Sequence, residues 1–169
     1  MTTINQPKTT IVNTSDEIIS YKARNVLTKE DIYRVSALWL TNSKGEILLA
    51  KRHHTKLHNP NMWGPAVAGT IEEGETYKSN IIKESEEEIG LRYIKPTLGP
   101  KMEITGEHHH FTQWFTLKVD KDINDFKIQK DEVEEVKWFT PQELKSCLQV
   151  QPEKFLPRMN EYFKLFSSV

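Results

Sequence analysis

The sequence predicts an α+β fold, because segments with the periodicity of β-strands lie on both sides of a segment with the periodicity of an α-helix. Residues 33–41 and 46–52 alternate and are rich in strand-forming residues, and a Gly-containing turn separates them. Residues 77–89 instead place apolar side chains on one helical stripe. A length of 169 residues is enough for one domain to bury its own core.

The N-terminal segment differs in composition from the rest of the chain. Residues 1–16 are rich in Thr, Asn and Ser, which predicts a loose tail, and residues 17–169 are then expected to form a single domain. Residues 17–28 suggest a short strand or hairpin arm. The first 17 residues have neither the basic region nor the apolar region of a signal peptide.

Composition and charge narrow the classes of function. The chain is 37% hydrophobic and 28% charged with a net charge of −1, so it lacks the basic footprint expected for binding a nucleic-acid duplex. No apolar run approaches the roughly 18 residues of a membrane-spanning helix. Cys147 is the single cysteine, which excludes an internal disulfide framework and fits a reducing cytoplasm.

Further elements follow in order along the chain. Residues 63–69 are small and apolar and predict a tight strand, and residues 109–119 predict another. Residues 134–139 predict a strand that leads into a short helix. Residues 152–166 predict an amphipathic C-terminal helix with an aromatic face.

The helical segment carries an unusual concentration of negative charge. Glu84, Glu86, Glu87 and Glu88 occupy four of five successive positions, and like charges on one helix repel each other. At about 100° per residue, Glu84, Glu87 and Glu88 lie along the edge of the apolar stripe, whereas Glu86 points to solvent. Carboxylates grouped at the edge of a core suit hard divalent cations, which prefer oxygen ligands. A solvated acidic face is the structural alternative.

The spacing of these residues resembles the Nudix box, G-x5-E-x7-R-E-U-x-E-E-x-G-U, in which U is aliphatic. The matching positions are Gly69, Glu75, Glu84, Glu87, Glu88, Gly90 and Leu91. Two positions depart from the pattern. Lys83 replaces the usual Arg and keeps the charge without the planar guanidinium, and Ser85 replaces an aliphatic residue.

This resemblance implies an α/β/α sandwich with a mixed central sheet, and an enzyme that hydrolyses a nucleoside diphosphate linked to another group. The cofactor implied is Mg²⁺ or Mn²⁺, with Glu84, Glu87 and Glu88 as catalytic metal ligands and the carbonyl of Gly69 completing the metal shell. Glu75 would orient the box through Lys83. The base would be one of the three glutamates or a glutamate near residue 132.

The polar loop between the second strand of the hairpin and the box is the expected place for substrate contacts. Arg52 and Lys56 are the expected substrate-binding residues, because anionic phosphates require cationic partners. The histidines at positions 53, 54 and 58 have a surface location as the simpler interpretation. Among His108, His109 and His110, strand alternation sends neighbours to opposite faces, so the three do not form one zinc site.

Two other functions are consistent with parts of the pattern. The upstream segment also resembles type 1 isopentenyl-diphosphate isomerase, in which a cysteine precedes the box glycine and a histidine follows it. Here these positions hold Ala68 and Thr70, which disfavours isomerisation. A non-catalytic nucleotide-binding module is the third hypothesis, although such modules usually lose the box glutamates.

The expected partner is a small-molecule diphosphate, with no membrane or nucleic-acid duplex. A homodimer is compatible with the resemblance, because dimers are common in the family.

Overall fold

A computed structural model describes residues 6–167. The strands are β1 (Lys8–Val12), β2 (Ile18–Ala23), β3 (Ile32–Thr41), β4 (Ile47–Arg52), β5 (Trp63–Pro65), β6 (Val67–Thr70), β7 (Thr97–Ile104), β8 (His110–Lys118) and β9 (Val133–Phe139). The helices are α1 (Tyr77–Ile89), α2 (Pro141–Val150) and α3 (Met159–Ser167), with 3₁₀ turns at Arg24–Val26, Ile123–Asp125 and Pro152–Lys154. No helix in this part of the chain is both long and apolar enough to cross a membrane.

Strand β3 is the centre of the sheet. It pairs in parallel with β8 along nearly its whole length, and β8 pairs in turn with antiparallel β7. The opposite edge of β3 is shared by three antiparallel strands, which are β1 at its start, β6 in its middle and β4 at its end. Strand β4 continues the sheet through β5 and β9. The sheet is therefore mixed, as the resemblance implied.

Apolar residues on the two faces of the sheet form two separate cores. On one face, Leu38, Val67 and Phe115 pack against Ile81 and Ile89 of α1. On the other face, the side chains of the sheet pack against α2, α3 and the segment between them; the buried members include Trp39, Leu49, Trp114, Leu144, Phe155, Met159 and Phe163. Adjacent residues such as Leu48 and Leu49 enter different cores, as strand alternation requires. The predicted α/β/α sandwich is confirmed.

The N-terminal segment does not form the tail that was predicted over residues 1–16. Residues 8–12 form strand β1, in which four residues from Thr9 to Val12 are buried, and this strand pairs with both β2 and β3. Threonine is a β-branched residue that favours strands, so a Thr-rich segment with two apolar residues is compatible with an inner strand. Residues 1–5 of the predicted tail lie outside the described residues. The hairpin arm predicted at 17–28 is confirmed over β2.

Three other elements differ from the predictions. Strand β7 was not predicted, because Gly99, Pro100 and two charged residues interrupt its apolar pattern. The strand predicted over 63–69 is divided at Ala66, where the chain leaves β4 and joins β3. The predicted C-terminal helix begins only at Met159. Phe155 is extended before it and is buried in the core.

Candidate active site

A cavity of about 780 Å³ lies beside helix α1, and the predicted metal-binding and substrate-binding residues all line it. Its lining includes the predicted cations Arg52 and Lys56, the backbone turn at Gly69, and the acidic triplet Glu84, Glu87 and Glu88. Arg24, which was not predicted, is a further cation in the lining. Glu86 is exposed and pairs instead with Arg92, at 2.9 Å. The structure thus brings together side chains from β4, the following loop, β6 and α1.

The ends of helix α1 fix the direction of these carboxylates. Thr76 caps the first turn by accepting a hydrogen bond from the backbone N–H of Ser79, whose hydroxyl in turn accepts from the backbone N–H of Thr76. Gly90 ends the helix in the left-handed conformation, with φ of 71°, which glycine adopts without strain. Gly90 was part of the sequence pattern, whereas the capping role of Thr76 comes from the structure.

Gly69 must be a glycine because the backbone of β6 closely approaches α1 at this point. A Cβ atom there would lie 2.5 Å from Cγ of Glu84 and 2.7 Å from Oδ1 of Asn80. The absence of a side chain therefore lets the Glu84 carboxylate lie directly against the backbone of β6. This is the arrangement required if a carbonyl of this turn and the glutamates bind one ion.

Glu75 and Lys83 form the ion pair that was predicted to orient the box. Lys83 Nζ lies 2.6 Å from Glu75 Oε1 and 3.6 Å from Glu84 Oε1. Burial opposes ionisation of Glu75, but the hydrogen bonds from Lys83, the backbone of Glu72 and Asn80 outweigh it and hold its pKa below the ordinary value. Lysine at position 83 therefore provides the contact expected of the more common arginine.

Asn80 is a buried member of this network that the sequence pattern did not reveal. Its side chain is fully buried and donates hydrogen bonds to Glu75 Oε2 at 2.8 Å and to the carbonyl oxygen of Thr70 at 3.2 Å. Its Oδ1 accepts a hydrogen bond from the hydroxyl of Ser36 on β3. Asn80 therefore ties α1 to two strands. Its position next to Ile81 was the only available signal, since hydropathy alone places an asparagine on the outside.

Ser85, the second departure from the box pattern, is also explained by packing. Its side chain is fully buried, and its hydroxyl donates a hydrogen bond to the carbonyl oxygen of Ile81 at 2.6 Å. A serine can replace an aliphatic residue here because this bond within the helix satisfies the hydroxyl.

The electrostatics of the acidic triplet favour a cation. Burial, together with the charges of Glu84 and Glu132, raises the pKa of Glu88 to about 8. Burial also raises the pKa of Glu84, and the neighbouring Glu87 adds to this effect. Carboxylates that resist ionisation because they are desolvated and close to one another are typical of functional sites. A positive ion in the cavity would reverse both effects.

The donor set fits a hard divalent cation. Carboxylate and carbonyl oxygens are the ligands that Mg²⁺ and Mn²⁺ prefer, and Gly69 leaves room for both kinds to converge. Within residues 6–167, the one group of three ligand atoms that lie within 4.8 Å of one another belongs to His53, His54 and Glu134. Ligand atoms of Glu84, Glu87 and Glu88 do not all lie within 4.8 Å of one another.

A loop glutamate completes the far wall of the cavity. Glu132 lies just before β9 and pairs with Lys56 at 2.5 Å. On the same wall, Arg52 is half-buried and its Nε donates a hydrogen bond to the carbonyl oxygen of His58 at 3.0 Å. Two cations and a carboxylate thus face the acidic triplet. The sequence suggested Glu132 as one of several candidates but could not place it beside Lys56.

The histidines have separate environments. His54 is exposed and its Nδ1 lies 2.9 Å from Glu134, whereas His58 lines the cavity. His109 pairs with Glu103 at 2.8 Å. His110 is stacked on the ring of Tyr33. Strand β8 begins only at His110, so His108 and His109 precede it and the strand-alternation argument does not apply to all three.

Comparison with known proteins identifies the family. The NUDIX domain profile matches residues 32–165, which is most of the chain and includes the cavity-lining residues from Arg52 to Glu132. Arg24 and Asn25, which also line the cavity, precede the matched region. The chain belongs to the Nudix family. Strands β1 and β2 precede the matched region. Strand β1 pairs with the same edge of β3 as β6, the strand in which the box begins.

The relatives of this Nudix protein are hydrolases by name. An uncharacterized Nudix hydrolase of Listeria monocytogenes is 30% identical over 141 residues, with 82% of each chain covered. The uncharacterized Nudix hydrolase YfcD of Escherichia coli K12 is 26% identical over 145 residues, which cover 85% of this chain and 79% of YfcD. The protein is accordingly a Nudix hydrolase that acts on acid anhydrides.

Solved structures show the same fold. DR0079 from Deinococcus radiodurans superimposes with a TM-score of 0.77 at 22% identity, covering 93% of this chain and 97% of that one. The NUDIX domain of Shewanella oneidensis NrtR, solved with ADP-ribose, gives a TM-score of 0.61 at 15% identity, covering 80% of this chain and 86% of that domain. At these identities the likeness concerns the fold alone.

Proposed function

We propose that this Nudix hydrolase cleaves the pyrophosphate bond of a nucleoside diphosphate linked to another group, and that it does so with Mg²⁺ or Mn²⁺. The observation that carries the proposal is the position of Glu84, Glu87 and Glu88 in one cavity with Arg52 and Lys56. Anionic groups for the cation and cationic groups for the phosphates thus face a common space. A purely structural acidic face would not require this pairing.

The side chains that line the cavity would have separate roles in this reaction. A bound divalent cation supplies charge neutralisation at the phosphates and lowers the pKa of water. Glu84, Glu87 and Glu88, with the carbonyl of Gly69, would hold it. Arg52 and Lys56 would orient the diphosphate through charge-assisted hydrogen bonds. Glu75 and Lys83 would keep the box backbone in register.

Glu132 is the candidate base outside the acidic triplet. It enters the cavity from the loop before β9, away from α1, and so remains available to accept a proton from water if the triplet binds the ion. Its pairing with Lys56 would place the carboxylate beside a diphosphate bound by that lysine. Replacement of Glu132 by Gln should lower kcat and leave Mn²⁺ affinity nearly unchanged.

Isomerisation of isopentenyl diphosphate would lack the cysteine that the isomerases use as a proton carrier. Ala68 lines the cavity at the position where the isomerases have a cysteine, and the free Cys147 lies in helix α2, outside the lining. Proton transfer to an alkene needs an acid at the reacting carbon. Hydrolysis requires water, a divalent cation and charged groups of the kind that line this cavity.

A hydrolysis screen, in which the products are separated and detected by ion-exchange chromatography, tests the proposal. Nucleoside di- and triphosphates, nucleotide sugars, dinucleoside polyphosphates and isopentenyl diphosphate would be supplied with Mg²⁺, with Mn²⁺ or with EDTA. We expect metal-dependent hydrolysis of at least one compound. We also expect Glu87→Gln to reduce it by ~100-fold or more while the fold is retained. Equal turnover in EDTA, or near-normal turnover of Glu87→Gln, would refute the mechanism.

A further inference from the structure

Three metal-ligating side chains meet beside the active-site cavity without lining it. His53 and His54 follow strand β4, and Glu134 is the second residue of β9. Within residues 6–167, they are the one group of His, Cys, Asp or Glu residues that brings three ligand atoms within 4.8 Å of one another. The lining of the active-site cavity includes none of the three. We call them the His–Glu cluster.

The pairing of β4 with β9 explains why residues that are 80 apart in sequence meet here. The ladder between these strands ends where Arg52 lies opposite Val133. His53 and His54 come directly after this end, where the chain leaves the sheet. Neighbouring side chains are sent to opposite faces only within a strand, so both imidazoles can face Glu134.

The distances within the His–Glu cluster match those of a metal site. Oε2 of Glu134 lies 2.9 Å from Nδ1 of His54 and 3.5 Å from Nε2 of His53. The centroids of the two imidazole rings are 4.0 Å apart. A tetrahedral Zn²⁺ with ligand distances of ~2.0–2.2 Å holds its ligand atoms roughly 3.4 Å from one another. The two separations from Glu134 lie on either side of this value, so small side-chain rotations would complete the site.

An ion pair accounts for only part of the His–Glu cluster. One carboxylate balances one imidazolium, so a pair needs no second ring. His109 and Glu103 form such a simple pair, at 2.8 Å. In the cluster, Nδ1 of His53 also lies 2.8 Å from the hydroxyl oxygen of Thr55, which keeps Nε2 directed at the carboxylate. A histidine that binds a metal typically donates its other ring N–H to an oxygen in this way.

We propose that the His–Glu cluster binds Zn²⁺, and that the bound ion fixes the loop that carries Lys56. Two imidazole nitrogens and a carboxylate oxygen suit Zn²⁺, whereas Mg²⁺ prefers oxygen ligands alone. Both rings would bind as neutral imidazoles, with the proton of His53 on the nitrogen that faces Thr55. His54 and Glu134 have exposed side chains, so water can occupy the remaining coordination position.

The same loop connects the His–Glu cluster to the active-site cavity. Thr55 and Lys56 both line that cavity. The backbone N–H of Lys56 donates to the carbonyl oxygen of His53 at 3.1 Å, and its Nζ pairs with Glu132. An ion held between His53 and Glu134 would therefore restrain Lys56 from outside the cavity. A benefit to substrate binding would rest on the proposed function, whereas the Zn²⁺ site itself does not.

Isothermal titration calorimetry with Zn²⁺ tests the site. The full chain is used without an affinity tag, freed of metal with EDTA and returned to excess Mg²⁺, the cation proposed for the acidic triplet. We expect one Zn²⁺ to bind the wild type, and at least tenfold weaker binding by His54→Ala and by Glu134→Gln. His109→Ala is the matched control, because it removes an imidazole that pairs with a single glutamate. Equal Zn²⁺ affinities for His54→Ala and His109→Ala would overturn the proposal.

Nitrogen-15 NMR of the six histidine rings identifies the ligand atoms. Addition of Zn²⁺ should shift Nε2 of His53 and Nδ1 of His54, and it should leave His109 unchanged. A response confined to other histidines would contradict the site. Zn²⁺ binding that is weakened by Glu87→Gln and not by Glu134→Gln would place the ion in the acidic triplet, and it would also overturn the proposal.

Hydrogen exchange tests the effect on the loop. Saturating Zn²⁺ should slow exchange of the Lys56 amide at least tenfold in the wild type, because a ligand that binds only the closed loop suppresses its opening. The same addition should have no effect in Glu134→Gln. Unchanged exchange in the wild type would refute the restraint of the loop.

The outcomes for the His–Glu cluster and for the proposed function are distinguishable. Zn²⁺ binding that depends on Glu134, without hydrolysis of any compound in the screen, would refute the proposed function alone. Metal-dependent hydrolysis, with the same Zn²⁺ affinity in wild type and Glu134→Gln, would refute the Zn²⁺ site alone.

Discussion

Replacing Glu88 by Gln should stabilise the metal-free protein, and more so at high pH. The carboxyl is half-buried at the edge of the core, and burial with its acidic neighbours raises its pKa to about 8, from an ordinary value of 4.5. A raised carboxyl pKa means that the folded state prefers the protonated form. The contribution of the Glu88 carboxyl to the free energy of unfolding is therefore complete below about pH 4.5, and it is lost as the pH rises through about 8.

The size of the effect follows from proton linkage. Each tenfold difference in proton affinity corresponds to ~1.4 kcal/mol, so the full difference between the two pKa values is worth ~5 kcal/mol. Between about pH 5.5 and 8.5, roughly 3 kcal/mol of this should appear as a loss of wild-type unfolding free energy relative to Glu88→Gln. Glutamine keeps the shape of the side chain and cannot ionise, so the other titrating groups largely cancel.

Urea unfolding in EDTA, followed by tryptophan fluorescence at both pH values, measures this difference. Glu86→Gln is the matched control, because Glu86 is exposed and pairs with Arg92. Saturating Mg²⁺ should then stabilise the wild type more than Glu88→Gln. If the free-energy difference between wild type and Glu88→Gln is the same at both pH values, Glu88 is not a desolvated carboxyl and the electrostatic reasoning fails.

Three further predictions concern single positions in the site. Lys83→Arg should retain near-normal turnover because arginine can also pair with Glu75. Lys83→Ala should lower turnover ~10–100-fold, as loss of a residue that positions a metal ligand typically does. Steady-state kinetics with the substrate found in the screen compares the two variants, and loss of activity in Lys83→Arg would show a site built specifically around lysine. Arg52→Ala should raise KM by ~10–100-fold through loss of charged hydrogen bonds to phosphate, and an unchanged KM would remove Arg52 from the substrate site. Isopentenyl diphosphate should give no dimethylallyl product by mass spectrometry, since Ala68 cannot carry a proton; detectable product would contradict this assignment.

The parts predicted correctly from the sequence depend on short-range patterns. Helix α1 has its apolar stripe and its C-terminal Gly90 within one segment, so the direction of Glu86 away from the cavity followed from helical geometry. The β3–β4 hairpin has a turn at Gly45, with φ of 78°, that the sequence also showed.

The parts that were missed depend on contacts between distant segments. Strand β1 is buried because it lies between β2 and β3, and its Thr-rich composition does not reveal that pairing. Asn80 is buried because Ser36, Glu75 and the carbonyl of Thr70 satisfy its side chain. No local pattern distinguishes this residue from an exposed asparagine.

The substrate-facing wall is non-local for the same reason. Lys56 and Glu132 are 76 residues apart in sequence and meet because β9 pairs with β4. A second cavity likewise combines β3, β6, β8 and the segment before α3 around Ala68 and Trp114. The location of the protein in a reducing cytoplasm and its assembly as a homodimer stay predictions from the sequence.

Direct measurement of Mn²⁺ binding tests the acidic triplet as the metal site. Electron paramagnetic resonance titrations of the wild type, Glu87→Gln and Glu86→Gln require no knowledge of the substrate. Both variants remove one charge from the same helix, but only Glu87 lines the cavity. The acidic triplet predicts at least tenfold weaker Mn²⁺ binding by Glu87→Gln and unchanged binding by Glu86→Gln. Equal Mn²⁺ affinities for the two variants would contradict it.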